Sequence, residues 1–135
     1  MKTIQKTMLL AVFCLSSAIA QKPSGFTDGH LNGRVWVNPG MTNALKTMYL
    51  QGVSEVFGSF NLNKSDTATF WPVHSDRSIG EISQVIDQFY SDAANRGVPV
   101  LLSLGWVWLK FAGASPARLG EIAAELRKEA ALPPR

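Results

Sequence analysis

Few of the 135 residues carry groups able to do chemistry near neutral pH. The two histidines are His30 and His74, and neither has a His, Cys or carboxylate at a spacing that forms a metal site by itself. In His74-Ser75-Asp76 the carboxylate could fix one imidazole tautomer and make an acid–base pair, although a solvated loop histidine is the simpler reading. Glu55, flanked by Gly52 and Gly58, sits beside the apolar face of a helix; those glycines thin the surface and would let another backbone come close. An acid at the edge of such a stripe ordinarily meets water or a neighbouring cation, and Asp87 and Asp92 read as solvent-facing on the same grounds. Arg34, beside Trp36, could stack or pair with a carboxylate. No Gly-x-Ser-x-Gly elbow and no phosphate-binding glycine loop is present, so the sequence assigns no catalytic, cofactor-binding or metal-binding residue and leans away from an enzyme.

The aromatic residues offer a second kind of candidate. Trp36, Phe70 and Trp71 stand outside the periodic stripes, where aromatics serve as partner anchors or as lids over a small core. Trp106 and Trp108 lie two residues apart on a helix, about 200° around its axis, and so cannot both face one neighbour. Either that helix is enclosed on two sides or one indole is available to a partner.

These residues are positioned by the elements that follow a secretory leader. Lys2 and Lys6, the apolar run Met8 to Leu15 and Ala18-Ile19-Ala20 have the three-part pattern of a cleavable signal peptide over residues 1–20, with cleavage expected after Ala20. The run is too short to anchor the chain across a bilayer, and Phe13 ahead of Cys14 stands where a lipoprotein signal wants a small residue. Cleavage would leave 115 residues, the size of one domain, and would remove the single Cys, leaving stability to packing. It would also change 13 basic and 10 acidic residues into 11 and 10. A balance near zero gives little electrostatic warrant for nucleic-acid binding, which normally shows a clustered basic face, and no nucleic-acid partner is expected.

Gln21 to His30, broken by Pro23, Gly25 and Gly29, reads as a flexible lead-in, and a helical domain is expected over 31–131 with a short tail at 132–135. After the turn at Asn38-Pro39-Gly40, Thr42 or Asn43 can cap a helix whose Leu45, Met48, Tyr49, Gly52, Val53, Val56, Phe57 and Phe60 keep helical spacing for four turns. The period is lost over 61–77, a polar loop of about 17 residues. Ser78 and Glu81 have capping-box spacing and open a stripe of Ile79, Ile82, Val85, Ile86, Phe89 and Tyr90. Asn95-Arg96-Gly97 is expected to end that helix through a left-handed glycine, with Pro99 in the first turn of the next. Val100 to Ala112 is apolar all round; at ~1.5 Å per residue it rises ~20 Å, short of a ~30 Å hydrocarbon layer, so it reads as a core helix with peripheral membrane contact as the alternative. Ser115-Pro116 starts a last amphipathic helix through Leu119, Ile122, Ala123 and Leu126. Together these predict an all-α single domain of about four helices.

The strings Asn32-Gly33-Arg34-Val35-Trp36, Lys46-Thr47-Met48-Tyr49-Leu50-Gln51-Gly52 and Phe89-Tyr90-Ser91-Asp92 with Asn95 and Pro99 resemble a group of small exported bacterial proteins of unknown function. The pairing of a Tyr-Leu-x-Gly helix with a later aromatic helix ending in Asp-x-x-Asn and Pro is similar to periplasmic immunity proteins of type VI secretion amidases, which are small helical inhibitors. Those proteins commonly carry cysteines in the ordered domain, whereas here the one Cys is in the leader. The first group carries no activity to transfer. It is the aromatic surface candidates and the long loop, without a catalytic constellation, that predict a periplasmic or secreted non-catalytic binding or inhibitor protein with an envelope or secreted protein as partner; a hydrolase of envelope material using Glu55 or His74 and Asp76 is the alternative.

Overall fold

The computed structural model describes residues 24–59 and 77–132, with the side chains of 57–59 excepted. The leader with Ala20, most of the polar loop with Phe70, Trp71, His74 and Asp76, and the end of the tail lie outside the described residues. The elements in order are two short strands, β1 (Phe26–Thr27) and β2 (His30–Leu31), then helices α1 (Gly33–Trp36), α2 (Asn43–Ser59), α3 (Ile79–Ser91), α4 (Val100–Phe111) and α5 (Pro116–Ala130). A 3₁₀ turn, Ala93–Gly97, joins α3 to α4. The domain is small and mostly α, as its periodicity predicts; the four long helices are those read from the sequence, and the one-turn α1 is an addition.

The stretch ahead of Leu31 is a hairpin rather than an unstructured lead-in. Phe26 pairs with Leu31 and Thr27 with His30, and the two residues between them, Asp28 and Gly29, have φ values of 50° and 75°. A two-residue loop with both central residues left-handed matches the right-handed twist of a hairpin, and Asp-Gly is one of the pairs that tolerate it. Asn32 then ties hairpin to bundle. Its backbone N–H donates to Gly25 O at 3.0 Å, its side-chain amide donates to Thr27 Oγ1 at 2.9 Å, and its Oδ1 caps α1 by accepting from Arg34 N at 3.0 Å. Gly33 is needed next to it, because a Cβ there would run into the Tyr90 ring and the Arg96 backbone.

Helix α3 supplies the centre of the core. Its capping box is complete, with Ser78 Oγ accepting from Glu81 N and Glu81 accepting from Ser78 N at 2.7 Å, and it buries Ile82, Val85, Ile86, Phe89 and Tyr90. It packs against α2 and α4, and α4 against α5. Helix α4 is the enclosed helix its composition predicts, burying Val100, Ser103, Leu104, Trp106 and Val107. Each large apolar side chain so buried contributes about 1.5–3 kcal/mol.

Two caps differ from expectation. Gly97 is not left-handed: α3 ends at Ser91, and Asp92 starts the 3₁₀ turn by accepting from Ala94 N at 2.9 Å. The buried Asn95 closes the join by donating to Phe89 O at 2.7 Å, so side chains do what the left-handed glycine was expected to do. Pro99 is the N-cap of α4 rather than part of its first turn, with its backbone bridged to Asn32. Ser115 and Pro116 fall as the sequence predicts, and a left-handed Gly113 (φ 79°) follows the end of α4.

Candidate functional site

The residue types that suggested chemistry are dispersed. Glu55 is exposed, and among the described residues its carboxylate meets Gln51 Nε2, at 3.4 Å, so it is not a buried acid. His30 is exposed in the hairpin. Asp92 is exposed, as expected, and from there holds the 3₁₀ turn and lies 3.6 Å from Arg127.

Trp36 provides no surface, because it is completely buried and its Nε1 donates to Asp87 Oδ1 at 2.7 Å. The same oxygen accepts from Lys46 Nζ at 2.7 Å, and that ammonium lies 5.2 Å from the centre of the Trp36 ring. Tyr49 meets the indole edge-on at 6.2 Å. Asp87 is thus the half-exposed end of a knot that ties α1, α2 and α3, not a solvated acid. Its remaining water contact moderates the cost of drawing Lys46, 11% exposed at its side chain, out of solvent.

The two Trp residues of α4 divide as their spacing requires. Trp106 is buried, tilted against Phe89 at 5.2 Å, and its Nε1 donates to Leu119 O at 3.0 Å. Trp108 keeps partial exposure on the other side.

The feature that stands open is on α2. At about 100° per residue the stripe Leu45, Met48, Gly52 and Val56 forms one face, while Lys46 and Leu50 point between about a third and a half turn away. The knot to Asp87 sets the roll: Lys46 and Leu50 go in, and Leu45, Met48 and Val56 are 46, 68 and 54% exposed. Between that face and α4 lies a groove of about 510 Å³ lined by Met48, Tyr49, Gly52, Val53, Val56 and Leu101, with no charged residue among them. A side chain at Gly52 would meet nothing within 4 Å, so the groove floor is bare backbone. Burial pushes the Tyr49 hydroxyl above its ordinary pKa, and the group stays neutral. None of these residues was singled out as a site by its type; the signal was the thinning of the surface at Gly52 and Gly58.

A second concavity, of about 270 Å³, opens where the hairpin, the 3₁₀ turn and the end of α5 meet, and Arg34 and Arg127 are on its wall. Among the described residues there is no cluster of three or more His, Cys, Asp or Glu able to hold a metal ion, and no helix is long and apolar enough to cross a membrane.

The described residues form a small α-helical domain with an uncharged apolar groove and an arginine-walled cleft. No protein-family model matches the chain, and no curated protein or solved structure is significantly similar to it.

Proposed function

We propose that this chain is an exported, non-catalytic binding or inhibitor protein of the cell envelope, and that its α2 groove receives the apolar face of a helix from a protein partner. The observation that carries the reading is the uncharged groove of about 510 Å³ with Met48 and Val56 more than half exposed beside it. Contiguous exposed apolar surface rimmed by polar residues marks interaction sites, and helix-in-groove recognition needs apolar walls and close backbone approach, which Gly52 permits. Lys46 and Glu55 are the only charged residues of α2, and Lys46 is committed to Asp87. Among the described residues, α2 and the groove lining thus offer no uncommitted cation to draw the groove to an anionic lipid surface, which favours a protein over a membrane. The likeness of the Tyr-Leu-x-Gly and Asp-x-x-Asn strings to those of helical immunity proteins points the same way.

The test is site-specific photocrosslinking of the protein against envelope and secreted fractions of its host. A photoreactive residue at Met48 should give one dominant protein adduct that is lost on adding Val56→Glu, while the same probe at Arg118, exposed on α5, should not give it. Identical adducts from both positions would overturn the reading. Flotation with phosphatidylglycerol vesicles, abolished by Val56→Glu, would replace the protein partner with a membrane.

A further inference from the structure

We infer that the cleft between Arg34 and Arg127 is a binding site for a small aliphatic carboxylate. It shares no residue with the α2 groove and does not depend on it. Arg34 has no carboxylate within ion-pair distance among the described residues; its Nη1 donates to Ser24 O at 3.1 Å. Its guanidinium lies over Gly97, with Nη2 3.4 Å from where a Cβ would stand. Arg127, from α5, donates to Asn95 Oδ1 at 2.8 Å and approaches Asp92 only to 3.6 Å. Each guanidinium has five N–H donors, so both retain unused ones. Arg96, next to Gly97 in the chain, has a buried Nε with no hydrogen-bond partner among the described residues, but it is not part of the cleft wall.

The other polar groups on the wall are already committed. Thr27 Oγ1 donates to Gly97 O at 2.7 Å while accepting from Asn32, and Ala94 N donates to Asp92. The final carbonyls of α5, which would repel an anion, are partly neutralised: Ala131 N and Leu132 N donate to Lys128 O and Glu129 O at 3.2 and 3.1 Å. A ligand thus meets guanidinium donors and little else that is polar, which selects an acceptor-only group, and an arginine fork matches a carboxylate. The rest of the wall is Ala94, Val98, Ala130 and Ala131, small and apolar, suited to a short aliphatic body of the size 270 Å³ admits. A free short-chain acid and the last residue of a peptide share this chemistry.

The experiment is amide-detected NMR on the isotope-labelled full chain, titrated separately with butyrate, N-acetyl-alanyl-alanine, the C-terminal amide of that dipeptide, and inorganic phosphate. Saturable shifts at Ala94, Gly97 and Ala131 are expected with the two carboxylates and none with the amide. Tighter binding of the dipeptide acid than of butyrate assigns the site to a chain end, and equal or weaker binding assigns it to a free acid; both support the proposal. Arg34→Gln should weaken binding about tenfold. Ala94→Leu, which narrows the wall without touching a guanidinium, should weaken the dipeptide more than butyrate and checks the result if Arg34→Gln perturbs the fold. Unsaturable shifts, equal binding of the amide, phosphate binding as tightly as the carboxylates, or a folded Arg34→Gln chain of unchanged affinity would each overturn the proposal.

Discussion

Helix α3 turns Ile82, Val85, Ile86, Phe89 and Tyr90 into the core, whereas α2, packed against it, buries only Leu50 and Lys46 among its described side chains. Both helices carry apolar residues at helical spacing, so spacing is not what separates them. The separating feature is the knot of Trp36, Lys46 and Asp87, which fixes the roll of α2 by a buried ammonium and leaves Leu45, Met48 and Val56 facing outward. An apolar face that the described residues leave uncovered is the physical basis for the proposal that α2 binds a partner, while α3 supplies the core.

The comparison is tested most severely by truncation on each side of it. Trp36→Ala or Phe89→Ala should cost about 3–5 kcal/mol in denaturant unfolding, while Met48→Ala should change stability by less than about 0.5 kcal/mol. A large loss at Met48 would mean that its face is covered in the folded protein.

The roll of α2 is tested next. Asp87→Ala leaves the Lys46 ammonium and the Trp36 N–H without their shared acceptor and should cost about 1–3 kcal/mol. In a double-mutant cycle with Lys46→Met the two losses should not add, since each change removes the same contact. Gly33→Ala, forced against the Tyr90 ring and the Arg96 backbone, should cost about 1–3 kcal/mol through overpacking where the hairpin, α1 and α3 meet.

The smallest effects come from pH, and they belong to the α3 side. The backbone N–H and then the hydroxyl of Ser78 hold Glu81 below its ordinary carboxylate range. Its folded pKa is depressed, so its contribution is present above the unfolded value of about 4.3 and is lost as pH falls through the folded one. Glu81→Gln should flatten that part of the acid stability curve. Tyr90 moves the other way: burial raises it far above its ordinary value, with its hydroxyl donating to Val98 O at 2.9 Å. Its contribution is complete below about pH 10 and falls as pH rises beyond it. Tyr90→Phe should remove that alkaline slope in a melting series between pH 9 and 11.

Much of this fold is legible in the chain: α3 buries the stripe its period marks, and α4 is enclosed as its all-round apolar composition implies. Helix α5 turns in Ala123 with Leu119, Ile122 and Leu126 half-buried, and Ser78, Glu81, Ser115 and Pro116 announce the caps of α3 and α5. The hairpin was legible too, in Asp28-Gly29, but its strands of two residues are too short to show alternation and its glycines suggest disorder instead. What sequence spacing does not reveal is the roll of α2. A lysine is ordinarily placed outside, and only the long-range partners Asp87 and Trp36 make Lys46 an inward residue. The arginine-walled cleft was hidden for a related reason: Arg34 and Arg127 are distant in sequence, and the hairpin and the 3₁₀ turn that bring them together leave weak local signals.

The double variant Met48→Glu/Val56→Glu, measured in one preparation for melting temperature and for crosslinking from position 45, tests the central claim directly. If the outward face of α2 is a docking surface, the variant melts within a few degrees of the parent, as expected for exposed sites, and the partner adduct disappears. A variant that unfolds, or that retains the adduct at parental yield, contradicts the account.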